Sequence, residues 1–151
     1  MGYISKVISV TPTITAGAYS AGDALGGRME FTPAKYLGGG TIQSVTVIDK
    51  ASAAAEIDLV FFDQTFTATT DNSAFDPTDA DLANCIGVVT ILPTDYASFT
   101  DNSVASAVAG LVYKADDTSG FSLWCQMVVR TTPTYAATTD LIVKVGLVLD
   151  R

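Results

Sequence analysis

The stretch Phe121-Ser122-Leu123-Trp124-Cys125-Gln126-Met127-Val128-Val129-Arg130 decides the fold. Phe121, Leu123, Cys125, Met127 and Val129 fall on one side of an extended chain, and Ser122, Trp124, Gln126, Val128 and Arg130 on the other. That period of two belongs to a β-strand. A second stretch repeats it: Leu141, Val143, Val145, Leu147 and Leu149 alternate with Ile142, Lys144, Gly146, Val148 and Asp150. In both, the inner row is wholly apolar and the outer row only half polar. A strand covered on both sides, or one at a subunit contact, reads that way.

Working outward, further strands are expected at Tyr3 to Thr13, Arg28 to Thr32, Thr41 to Asp49, Ile57 to Phe62, Gly87 to Ile91 and Ser103 to Lys114, with Gly110 a bulge site in the last. Turn-forming residues separate them at Ala16 to Gly27, Gly38-Gly39-Gly40, Asp71-Asn72-Ser73, Pro93-Thr94-Asp95, Asp101-Asn102-Ser103, Asp116 to Gly120 and Thr131 to Thr139. About eight strands so spaced predict an all-β fold, an antiparallel β-sandwich that is jelly-roll-like, with one short helix. The helix is expected within Asp76 to Asn84, with Asp76 as N-cap and Pro77 at its first position, or with Thr78 and Asp81 forming a capping box. The phrase Thr-Asp-Asn-Ser occurs at Thr70 to Ser73 and again at Thr100 to Ser103, and reads as two independent turns. No break in composition divides the chain, so 1–151 is expected to form a single domain.

Hydrophobic residues make up 48% and charged residues 16%, which excludes a disordered chain. Ser, Thr and Ala stand where charge usually does, giving a surface that is neutral and β-like or hidden against a partner. Sixteen Asp and Glu face eight Lys and Arg. The basic residues Lys6, Arg28, Lys35, Lys50, Lys114, Arg130, Lys144 and Arg151 are scattered singly. No patch forms that could neutralise phosphates, so no nucleic-acid partner is expected. Acidity favours solubility and suits docking on a basic surface. No run approaches the roughly 18 apolar residues of a membrane span, and Met1 to Val10 lacks the pattern of a signal peptide. Cys85 and Cys125 lie in apolar runs and read as reduced core thiols.

The chain contains no histidine. The commonest general base and the commonest zinc ligand are therefore missing, and Ser-His-Asp and Cys-His nucleophile arrangements cannot be built from it. Gly17-Ala18-Tyr19-Ser20-Ala21-Gly22 misses the spacing of a nucleophile elbow, and Gly38 to Gly40 lacks the Lys-Ser/Thr of a phosphate loop. Asp76, Asp79 and Asp81, with Asp116-Asp117, form the densest acidic cluster, but without the spacing of a calcium loop. Helix capping and solvated turns are the adopted reading, a structural calcium the alternative, and no metal or other cofactor is expected. Phe61 and Phe62 point to opposite faces of one strand, so in a simple sandwich at most one is inward. Tyr19, Tyr36, Tyr96 and Tyr135 lie in loop-like stretches, open to sugar stacking or subunit contact.

Several phrases in order, Thr15-Ala16-Gly17-Ala18-Tyr19-Ser20-Ala21-Gly22-Asp23, Thr41 to Lys50, Asp58-Leu59-Val60-Phe61-Phe62-Asp63, and Asp79-Ala80-Asp81-Leu82 leading into Ile86-Gly87-Val88-Val89, resemble the small virion proteins of tailed bacteriophages of the head-decoration or capsid-cement type. The resemblance runs from about Val10 to Leu149 and consists of structural phrases rather than a catalytic signature. It implies a β-sandwich or jelly roll that trimerises on the capsid surface, clamps major capsid protein subunits and is assembled in the host cytoplasm. The expected function is therefore capsid decoration without catalysis, with multivalency raising avidity. Interface residues are expected on the outward face of the late strands, at Trp124, Gln126, Val128, Ile142 and Val148, and in the N-terminal segment. The alternative is a receptor- or carbohydrate-binding module of a virion fibre or spike, carried by the loop tyrosines and acidic turns. A glycosidase using two Asp is a poorer third.

Overall fold

Alternation in the sequence becomes nine strands in the computed structural model, which describes residues 2–32, 39–114 and 122–150. They are β1 (Tyr3–Val10), β2 (Ala24–Phe31), β3 (Gly39–Asp49), β4 (Ile57–Phe62), β5 (Cys85–Ile91), β6 (Tyr96–Ser98), β7 (Ser103–Lys114), β8 (Leu123–Val129) and β9 (Leu141–Asp150). A short helix, α1 (Asp79–Leu82), precedes β5. The ninth strand is β6, three residues beside the start of β7 and too short for any alternation to show. Strand β2 begins four residues before the expected Arg28, because Gly26 at φ 78 lets the chain bulge and resume pairing with β8. Phe121, Tyr36, Gly38 and the turn expected at Asp116 to Gly120 lie outside the described residues.

The strands form two sheets, one in the order β1-β9-β3-β7-β6 and the other in the order β2-β8-β4-β5. All pairings are antiparallel. The chain passes from one sheet to the other at each step except β4 to β5 and β6 to β7. This winding, four strands against four with β6 added at an edge, is a jelly roll. Gly110, at φ 65, sits where the β3–β7 register slips, as a bulge requires.

Between the sheets lies one apolar layer built from the inner rows read in the sequence. Leu123, Cys125, Met127 and Val129 of β8 meet Leu141, Val143, Val145, Leu147 and Leu149 of β9, together with Phe31, Ile57, Leu59 and Phe61. Burial of this layer is the dominant stabilising contribution. A second, smaller cluster sits on the outside of the four-stranded sheet: Val60, Phe62, Phe66 and Val128, with Phe75, Cys85 and Trp124 against it. Phe61 and Phe62 are therefore both buried, one on each side of β4. Only Phe61 points between the sheets, as expected; Phe62, on the outward side, is buried as well because the β4–β5 connection covers that face.

That connection, residues 63–84, is anchored by side chains of low sequence regularity. The Phe66 ring stacks on Phe62 with centroids 4.0 Å apart. Asp71 accepts hydrogen bonds from Thr15 Oγ1 (2.7 Å), Tyr19 Oη (2.6 Å) and the Gly26 amide (2.6 Å), tying the connection to the segment before β2. Its helix starts at Thr78, whose Oγ1 accepts from the Asp81 amide at 3.1 Å. Of the two expected caps the structure uses Thr78 rather than Asp76. The Asp81 carboxylate accepts from the Thr67 amide, so it fastens the loop to the helix.

Candidate functional site

The outer rows of β8 and β9 face different fates. On β8, Gln126 is 0% and Val128 1% exposed. Gln126 Nε2 donates to the carbonyls of Gly26 (3.0 Å) and Thr69 (2.7 Å), and its Oε1 accepts from the Thr69 amide (3.0 Å). Trp124 lies under the Arg28 guanidinium, whose carbon is 4.7 Å from the ring centroid, and Arg28 Nη1 in turn donates to Thr65 Oγ1 and the Phe66 carbonyl. The three residues expected to anchor a partner thus hold down the chain's own β4–β5 connection. Placing Trp124, Gln126 and Val128 on a free interface is corrected: their outward row is covered, but from within.

On β9 the outward row stays open. Ile142 and Val148 are half-buried by their neighbours, and nothing in the described chain lies over them. The registers place them in a continuous face. Across β9, β3 and β7, Val148 aligns with Thr41 and Val112; Gly146 with Ser44 and Val108; Lys144 with Thr46 and Ser106; and Ile142 with Ile48 and Val104. Strand β1 extends three of these rows outward, with Ser5, Val7 and Ser9 beside Val148, Gly146 and Lys144. Val108, Tyr3, Val112 and Val7 project, at 83%, 78%, 75% and 69% exposure. Between β1, β9 and β3 lies a shallow depression of about 250 Å³ floored by Gly146 and Ser44. Single exposed apolar side chains are ordinary, whereas a set spread over one face of four adjacent strands marks a contact surface. The sequence signal for it was the apolar content of outward rows; Val7, Val108 and Val112 were not singled out by it.

The remaining candidates do not assemble into a site. Asp76 and Asp79 are exposed at the start of α1 and Asp81 is engaged by Thr67. Among the described residues no three Asp, Glu, Cys or His side chains converge as metal ligands. Tyr19 and Tyr135 are buried and pack edge to face, 5.9 Å between centroids, and Tyr96 Oη donates to the Ala55 carbonyl at 2.8 Å. These loop tyrosines therefore brace the end of the sandwich rather than offer flat rings to a sugar; Tyr36 lies outside the described residues. Burial pushes the Tyr19 hydroxyl up to about 12, helped by the hydrogen bond to Asp71. Burial also raises Tyr96 and Tyr135, each with the Asp49 carboxylate as the next cause. Cys125 is a free, buried thiol raised by burial, and Cys85 is free and half-buried. Low thiolate character keeps Cys125 inert.

No protein-family model matches the chain, and no curated protein sequence matches it.

Proposed function

We propose that this jelly-roll protein is a non-catalytic structural subunit of a tailed-phage virion, of the head-decoration kind, that works by having the outer face of its five-stranded sheet covered in the assembled particle. The observation that carries the reading is that face: broad, regular, rich in Val, Ser and Thr, and nearly free of charge. Fold alone assigns no function, and jelly rolls serve capsids and lectins alike. The resemblance of the sequence phrases to decoration proteins selects between those uses. Its partner is the major capsid protein, met through the acidic remainder of the surface, which suits a basic capsid exterior, and its mechanism is added buried area across capsid subunit boundaries.

The test is binding to undecorated, expanded capsids. Purified protein should sediment with them saturably, and the bound fraction should fall as salt is raised, since the acidic contact is screened. Absence of binding at micromolar protein would remove the proposal. Burial of Tyr19 and Tyr135 removes two of the loop rings on which the carbohydrate-binding alternative rested, and it is not proposed.

A further inference from the structure

We infer that the occupant of this outer face is a second copy of the chain, the two copies packing sheet on sheet about a two-fold axis that runs along β3. The inference rests on reading the face as covered in the working assembly, and names what covers it. Charge is the first argument. The chain carries a net charge of −8, so two copies repel through most of their surface. The opposite side of the sandwich presents the acidic β4–β5 connection. Between the Ile142 and Val148 rows the outer face carries no carboxylate and one lysine, Lys144; Asp150 and Lys114 hold outward positions together at one end.

Area is the second argument. Four strands of 8 to 12 residues and the three-residue β6, about 4.8 Å apart at about 3.3 Å per residue, span roughly 700 Å². Two such faces bury about 1,400 Å², within the range of a standard stable interface.

Register is the third. β3 is the middle strand of the sheet, so an axis along it lays β7 of one copy over β9 of the other, row for row. The projecting Val108 then meets the depression at Gly146, whose floor the Ser44 side chain fills. Val112 meets Val148, Val104 meets Ile142, and Lys144 meets Ser106 instead of its own twin. Apolar side chains face apolar ones at both ends of the face, as sheet-on-sheet packing requires. Lateral addition through the sheet edges is disfavoured. Lys6 occupies an inward position on the β1 edge, opposite Leu147, and the Gly110 bulge interrupts the β7 edge.

Sedimentation equilibrium on the isolated full chain tests this. A monomer–dimer equilibrium is expected, and raising salt from about 0.05 to about 0.5 M should tighten it, because the opposing charges are screened. Val108→Asp should weaken association at least tenfold, whereas Val88→Asp, on the opposite sheet, should leave it unchanged, both variants melting as folded proteins. Thr46→Cys, on the axis, sets its thiol opposite its twin across sheets about 10 Å apart, beyond disulfide reach, and a short bifunctional thiol reagent should join the two into a dimer-sized species. A monomer at every concentration and salt, a trimer or larger species, equal effects of the two Asp variants, or no cross-link through Thr46→Cys would each overturn the pairing. Capsid binding is measured separately and responds to salt in the opposite sense. A chain that binds capsids yet never self-associates would lose this inference and keep the proposed function.

Discussion

At the scale of single residues, Gln126 shows how a polar side chain at an outward strand position becomes structural. Buried and bonded at both ends of its side-chain amide, it satisfies one backbone amide and two carbonyls. Gln126→Met keeps the volume and strips those partners, and should cost about 2–4 kcal/mol in urea unfolding. The tyrosines give a pH signature. The Tyr19 phenol, held up to about 12, is favoured in its protonated form by the fold. Its contribution to stability is whole below the ordinary tyrosine pKa of about 10 and is lost as pH rises from there toward the raised value. Tyr96 and Tyr135 shift in the same direction. Phenolate absorbance should therefore appear late in an alkaline titration and coincide with loss of β-sheet circular dichroism; early titration of all tyrosines in a still-folded protein would contradict their burial.

At the scale of elements, the β4–β5 connection behaves as a third layer. Strands β4 and β8 look alike in sequence to strands whose outer face waits for a partner, and the connection is that partner. Two of the contacts that hold it are the Phe66 ring on Phe62 and the Asp71 carboxylate on Thr15, Tyr19 and Gly26. Phe66→Ala should lose about 3–5 kcal/mol by opening a cavity over Phe62. Asp71→Ala should lose about 2–4 kcal/mol by leaving its donors unpaired. In both variants limited proteolysis within residues 67–77 should accelerate before the sheets themselves unfold, and an unchanged cleavage rate would show that the layer is held elsewhere. Three strands were legible to their limits because alternation over six to twelve residues is a local signal, Ile57–Phe62, Ser103–Lys114 and Leu141–Asp150, whereas β1 ends at Val10 short of the expected Thr13 and β2 and β5 start earlier than expected. β6 was not legible, since three residues carry no period. The phrase Thr-Asp-Asn-Ser also divides by context: Asp71 is the latch just described, whereas Asp101 lies exposed in the β6–β7 turn.

At the scale of the whole molecule, the winding brings distant segments together. β1 pairs with β9, Tyr3 opposite Asp150, and β3 lies between β7 and β9. Loop closure must precede most of these contacts, so refolding should be slow for the chain's size, in the millisecond-to-second range. Stopped-flow fluorescence of Trp124 would follow it, and microsecond folding would contradict a core built from such distant pairs. The same winding leaves one sheet with two covered faces and the other with one.

Local chemistry determined much of this. Period-two rows set the strands and their inner faces, turn residues set their separation, and the absence of histidine removed whole classes of catalysis and metal binding. Only the tertiary structure decided which outward row is free. Both β8 and β9 present half-apolar outer rows, and nothing within either strand tells them apart. The difference lies in where Phe66, Thr69 and Asp71 come to rest, which depends on contacts with Phe62, Gln126, Thr15 and Gly26 from other parts of the chain. Burial is a property of neighbours in space, and alternation records only neighbours in sequence.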